Sequence, residues 1–189
     1  RGDPPRFFVY GMLNGPDGGS VSEIFTPQSG EDSNDERPRL VLDTNTVLAL
    51  WMFRDPKLEA LRAWIEEGKC RLFSREDALE ELRRVLAYPQ FGVDTTAQYA
   101  LRDSYRGRLS PLVTHEHAKC ITKATLLPAC RDPDDQKFLE IAAQAPATHL
   151  ITRDKELCRL ARNRMIRQFF AIVTPEKFTH PTLATAVIR

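Results

Sequence analysis

The sequence predicts an α/β domain, a parallel sheet covered by helices on both faces. Two observations carry that reading. Short apolar runs alternate with amphipathic segments, and a run that is apolar at successive positions is buried on both sides. The composition, 42% hydrophobic and 28% charged over 189 residues, is globular and gives room for one domain with an appendage. The longest strongly apolar stretch, Val47 to Phe53, has seven residues, far short of the roughly 18 needed to span a bilayer.

Residues 1–36 stand apart from the rest. They hold six of the nine glycines and carry seven acids against two bases, a balance of −5. The remaining chain carries +6, which sums to the net charge of +1. GPDGGS and SGEDSNDE read as turn and linker. The segment is expected to be a flexible or loosely docked arm, with short strands at Arg6–Tyr10 and Val21–Phe25 as the sharper alternative. The body is expected over 37–178, and 179–189 form a tail.

After Pro38, Arg39–Leu42 reads as a buried strand, followed by the polar turn Asp43-Thr44-Asn45. Leu58, Leu61, Trp64 and Ile65 recur at helical spacing within 57–67, and Gly68 stops that helix. Trp51 and Trp64 are expected in the core. Cys70–Phe73 is the next strand. Ser74 is placed to cap a helix through about Ala87, with Asp77 completing a capping box. Residues 94–107 read as helix, and Leu112-Val113 as a possible short strand. Asp132-Pro133 starts a helix that runs to about Ala145, with Asp as its cap. His149–Thr152 is a strand, Asp154 opens another helix, and Phe169–Val173 is the last strand.

In such sheets the chemistry gathers at the carboxyl ends of the strands. Asp43 and Asp154 each follow a strand there, although either could equally cap the next helix. At 100° per residue, Glu81 lies roughly 110° from the buried stripe of its helix, on a flank that reaches a cleft, while Glu80 faces solvent. Asp134 and Asp135 fall on the inner side of their helix, one turn before Phe138. Carboxylates gathered in one cleft raise each other's pKa unless cations neutralise them. All-oxygen ligation points to Mg²⁺ or Mn²⁺, ions that activate water and stabilise charge on a phosphodiester.

Four segments together, Leu40-Val-Leu-Asp43-Thr-Asn45, Glu80-Glu81-Leu-Arg-Arg-Val-Leu, Asp132-Pro-Asp-Asp135-Gln-Lys-Phe-Leu and Leu150-Ile-Thr152-Arg-Asp154, resemble the PIN domain. The nearest branch is that of bacterial toxin components of toxin–antitoxin pairs, related to VapC. The resemblance covers about 38–178. It implies a Rossmann-like, three-layer α/β/α fold with a parallel sheet of about five strands. It also implies a metal-dependent endoribonuclease acting on single-stranded RNA, with one or two Mg²⁺ or Mn²⁺ ions. It carries the acidic quartet onto Asp43, Glu81, Asp135 and Asp154. Asn45 and Thr152 match supporting polar positions, and Asp132 and Asp134 stand beside Asp135. A homodimer and an antitoxin are the implied protein partners; a non-toxin RNA-processing or RNA-binding module controlled by a partner is the alternative.

A basic stripe after Asp154 (Lys155, Arg159, Arg162), with Arg131 and Arg153 flanking two of the acids, suits an RNA backbone. Single residues of that stripe could equally be solvated. His115 and His117 lack a third ligand and read as surface histidines rather than a zinc site. An Asp two residues after Asp43, as a haloacid-dehalogenase-type phosphatase requires, is replaced by Asn45. The four cysteines form no C-x-x-C and no N-terminal signal layout is seen, so a reducing, cytoplasmic setting is expected.

Overall fold

A computed structural model describes residues 35–112 and 126–181. Four parallel strands form its sheet: β1 (Arg39–Leu42), β2 (Arg71–Phe73), β3 (His149–Ile151) and β4 (Ala171–Val173), in the order β2-β1-β3-β4. Successive residues of β1 are buried because helices cover both faces of the sheet. Leu40 and Leu42 enter one core with Leu72 of β2 and Ile151 of β3, while Val41 enters a second core with Phe73 and Leu150. The pairing Leu40↔Leu72, Val41↔Phe73 and Leu42↔Ile151 keeps each row on its own face, as the two-residue period of a strand requires.

The first core is roofed by three helices. α1 (Thr44–Val47) continues as a wider turn over Leu48–Met52; α2 (Glu59–Glu66) follows a 3₁₀ turn at Pro56–Leu58; α3 spans Glu76–Leu86. Leu61 and Trp64 of α2 and Leu79, Leu82 and Leu86 of α3 form their buried faces. Gly68 adopts φ +69° just beyond α2, a conformation that suits glycine at a helix stop. α4 (Thr95–Arg106) packs on α3 and is capped by Asp94, whose carboxylate accepts from the Ala97 amide at 3.0 Å. The second core is covered by α5 (Gln136–Gln144), α6 (Lys155–Leu160) and α7 (Ile166–Phe169), through Phe138, Ile141, Leu157 and Ile166. The architecture is the expected three-layer α/β/α arrangement.

Several elements differ in detail from the sequence reading. The described sheet has four strands, not five; Leu109 makes a single parallel bridge to Leu72, short of a strand on the outer edge of β2. Leu112 is not in a strand, and Val113 lies outside the described residues, as do Arg6–Tyr10, Val21–Phe25, His115 and His117. Arg75, not Ser74, occupies the cap position of α3 and makes no side-chain cap bond. The Arg75 guanidinium instead holds Asp77 at 2.6 Å and Glu140 of α5 at 2.9 Å, so it serves as a tie between two helices. Phe169 ends α7, and the last strand begins only at Ala171. Trp64 is fully buried, whereas Trp51 sits at the core margin and donates its indole N–H to Glu66 at 2.9 Å.

Candidate metal centre

β1 and β3 are adjacent, so the residues after each emerge side by side at the carboxyl edge of the sheet. Asp43 is buried, 3% exposed, and caps α1: its Oδ1 accepts the Thr46 amide at 2.7 Å. Asp154 caps α6, accepting the Glu156 and Leu157 amides on Oδ1 at 2.7 and 2.9 Å. Between them lies Thr152, fully buried. Its hydroxyl donates to Asp43 Oδ2 at 2.5 Å and accepts the Asp154 amide at 2.9 Å. One hydroxyl therefore fixes the spacing of both strand-end acids.

Asp132 caps the 3₁₀ turn Pro133–Asp135 that precedes α5, accepting the Asp134 amide at 3.0 Å. That turn corrects the reading of Asp134. A 3₁₀ turn advances about 120° per residue rather than 100°, and Asp134 is rotated into solvent while Asp135 stays half-buried. The Asp135 carboxyl is pushed up to about 7, first by burial and then by the charges of Asp154, Asp132, Asp43 and Glu81. Burial also raises Asp43, against the hydrogen bonds from Thr152 and Thr46, and Asp154 adds to the rise. The quartet thus converges electrostatically. Glu81 reaches it from the flank of α3, as its angle on the helix predicts, and Glu80 turns to solvent, where Arg83 and Arg84 hold its carboxyl low. Asn45 is exposed on the first turn of α1, next to Asp43.

A residue not anticipated from the sequence completes the cluster. Lys137 places Nζ 2.5 Å from Glu81 Oε2 and also donates to the Asp134 carbonyl. Its side chain is 17% exposed and that of Glu81 29%. Lys137 lies two positions after Asp135 and follows the acid run directly, which was the only sequence signal for it.

The donor set fits a hard divalent cation. It consists of carboxylate oxygens, and burial followed by their mutual repulsion lifts Asp135, a rise that a bound cation would relieve. The nearby Cys130 and Cys158 thiols are pushed up by burial, which disfavours them as thiolate ligands. Among the described residues no three such side chains already stand in ligating geometry. Glu81 is held by Lys137, and one oxygen of both Asp43 and Asp154 is used in capping.

The five cations divide. Lys155, Arg159 and Arg162 line one hollow of about 450 Å³ on α6 and the turn after it. Arg131 lines another, beside Asp132 and Glu156. Arg153 departs from the expectation: its guanidinium is held by Asp55 at 2.7 Å and by Glu176 at 2.5 Å, so it pins the chain after β3 to two loops.

A family model of the PIN domain matches residues 39–156. No curated protein matches the sequence. PIN domains are generally nucleases and typically bind divalent metals. The matched span runs from β1 to the first turn of α6 and so includes every element that carries the four acids. On that match, the chain belongs to the PIN domain family.

Proposed function

We propose that the chain is a Mg²⁺- or Mn²⁺-dependent endoribonuclease that hydrolyses single-stranded RNA. The observation that supports it most is the gathering of Asp43, Glu81, Asp135 and Asp154 around one end of the sheet, with Asp135 raised by burial and then by the other acids. Asp43, Asp135 and Asp154 would hold the ion, and Glu81 would join them or orient water once Lys137 moves off it. Bound there, a divalent ion would supply water activation and stabilise charge on the phosphate. Thr152 keeps Asp43 and Asp154 in register throughout. Lys155, Arg159 and Arg162 offer the RNA backbone a cationic seat beside Asp154. A toxin role with an antitoxin partner, in a homodimer, is the biological setting proposed from the motif resemblance; a partner-regulated RNA-processing module is the alternative setting.

The test is cleavage of single-stranded RNA with Mn²⁺ and with EDTA. Cleavage should need the metal and should fall about 100-fold or more in Asp43→Asn and Asp135→Asn. Circular dichroism establishes that each variant is folded; Asp135, being half-buried, is the safer substitution. An inert metal-loaded wild type, or an unchanged rate in folded Asp135→Asn, would sink the reading.

A further inference from the structure

We propose that the groove between α3 and the start of α5 is a nucleobase subsite, with Tyr88 as its stacking face. The inference rests on RNA being the substrate of the acidic cluster. The groove encloses about 720 Å³; Glu81 and Asp135 line it near the cluster, and Tyr88 lines it beyond the end of α3. At 1.5 Å per residue, Tyr88 stands about 10 Å along the helix axis from Glu81.

The sequence builds this face locally. α3 ends at Leu86, and Pro89 keeps the preceding Tyr88 out of helical conformation, at φ −64° and ψ 128°. The Tyr88 ring is therefore thrown off the helix end. The 3₁₀ turn Pro89–Phe91 then brings Phe91 behind it, with centroids 6.3 Å apart and planes within 24°. Phe53, at the end of the apolar segment after Asp43, packs edge-on against Phe91 at 5.7 Å. Tyr88 is 47% exposed. Its ring has an aromatic neighbour on one side and remains accessible to a base, and a π-face of this kind accepts any of them.

Charge decides which part of a nucleotide enters. The cations of the groove are already held: Arg75 by Asp77 and Glu140, Arg84 by Glu80, and Lys137 by Glu81. With Asp134 and Asp135 added, the groove is net acidic. Phosphates are repelled from such a lining, whereas uncharged bases are not, and carboxylates accept hydrogen bonds from exocyclic amines. The hollow on α6, where Lys155 and Arg162 flank an Arg159 paired with Glu156, would take the phosphates instead. A strand crossing the cluster would turn its backbone to α6 and its bases into the α3–α5 groove.

The test measures binding of a fluorescein-labelled single-stranded RNA to the full chain in Ca²⁺, with an abasic strand of equal length as control. Tyr88→Ala should weaken the RNA about tenfold and leave the abasic strand unchanged, while Tyr88→Trp should bind RNA like wild type. Unchanged RNA binding by Tyr88→Ala, or equal losses for both strands, overturns the subsite. So does altered self-association with RNA affinity intact, which would make the patch a protein interface. Cleavage in Mn²⁺, measured separately, distinguishes the two readings: a wild type that binds through Tyr88 without cutting keeps the subsite and loses the nuclease.

Discussion

Replacing Thr152 by Val tests the hydroxyl that joins the two strand-end acids. The side chain is fully buried and the two residues have nearly the same shape, so packing changes little. What is lost is chemical. Asp43 forfeits a donor to its carboxylate at 2.5 Å, and the Asp154 amide forfeits its acceptor at 2.9 Å. A hydrogen bond to a charged group contributes about 1.5–3 kcal/mol, and an orphaned amide costs about 1–3 kcal/mol when buried and less where it is part-buried, as that of Asp154 is. Local relaxation recovers part of this, which leaves about 3 kcal/mol. For a body of this size each kcal/mol moves the melting temperature by about 2–4 °C, so Thr152→Val should melt about 6–12 °C lower at pH 8 in EDTA. Thr152→Ser keeps the hydroxyl and should stay closer to wild type. The gap between the two should narrow as acid protonates Asp43, because the bond then loses its charge. Thermal melts by circular dichroism read all three proteins. If Thr152→Val melts no lower than Thr152→Ser, the hydroxyl does not organise the site.

Two further outcomes follow from the cluster. The folded state holds a proton on Asp135 more tightly than the unfolded chain, so this residue stabilises at acid pH, and that contribution is lost as pH rises through about 7. Melts in EDTA should show it as a slope that Asp135→Asn removes, and Mn²⁺ should stabilise wild type more at pH 8 than at pH 5; an identical slope in the variant contradicts the assignment. Lys137→Met removes the cation that holds Glu81, so calorimetry should find Mn²⁺ bound several-fold more tightly, on the order of 1 kcal/mol; unchanged affinity would mean that the pair and the metal do not compete.

The strands and main helices were legible because burial writes itself into sequence. Arg39–Leu42 is apolar where both sheet faces are covered, and Leu79, Leu82 and Leu86 repeat at the helical period. Glu81 was legible for the same reason, since its flank position follows from that period. Ser74 failed as a cap because α3 begins only at Glu76, which leaves extended Arg75 in the cap position, its guanidinium turned to Glu140, 65 positions away in sequence. Asp134 was misplaced because a 3₁₀ turn precedes α5 and changes the angle per residue. Arg153 was read from its neighbours in sequence, whereas its ion pairs with Asp55 and Glu176 arise only once β3 and the loops are folded. Tyr88 gave no stacking signal because its backing ring, Phe91, comes from a turn and not from a periodic element.

Capping and metal binding were posed by the sequence as rival explanations of Asp43, Asp132 and Asp154. All three caps form, so the proposed metal role would have to coexist with them. Asp43, Asp132 and Asp154 each accept backbone amides at the start of a helix or 3₁₀ turn, so they contribute to folding with or without an ion. Glu81 is neutralised by Lys137. Asp135 alone among them shows neither a side-chain cap bond nor an ion pair in its turn, and its carboxyl is the one pushed up to about 7. The fold can therefore gather four carboxylates because local bonds to Asp43, Asp154 and Glu81 offset part of the cost of bringing them together. What is left raises both Asp135 and Asp43, through burial first and the neighbouring acids after it, and a divalent cation bound beside them would offset it.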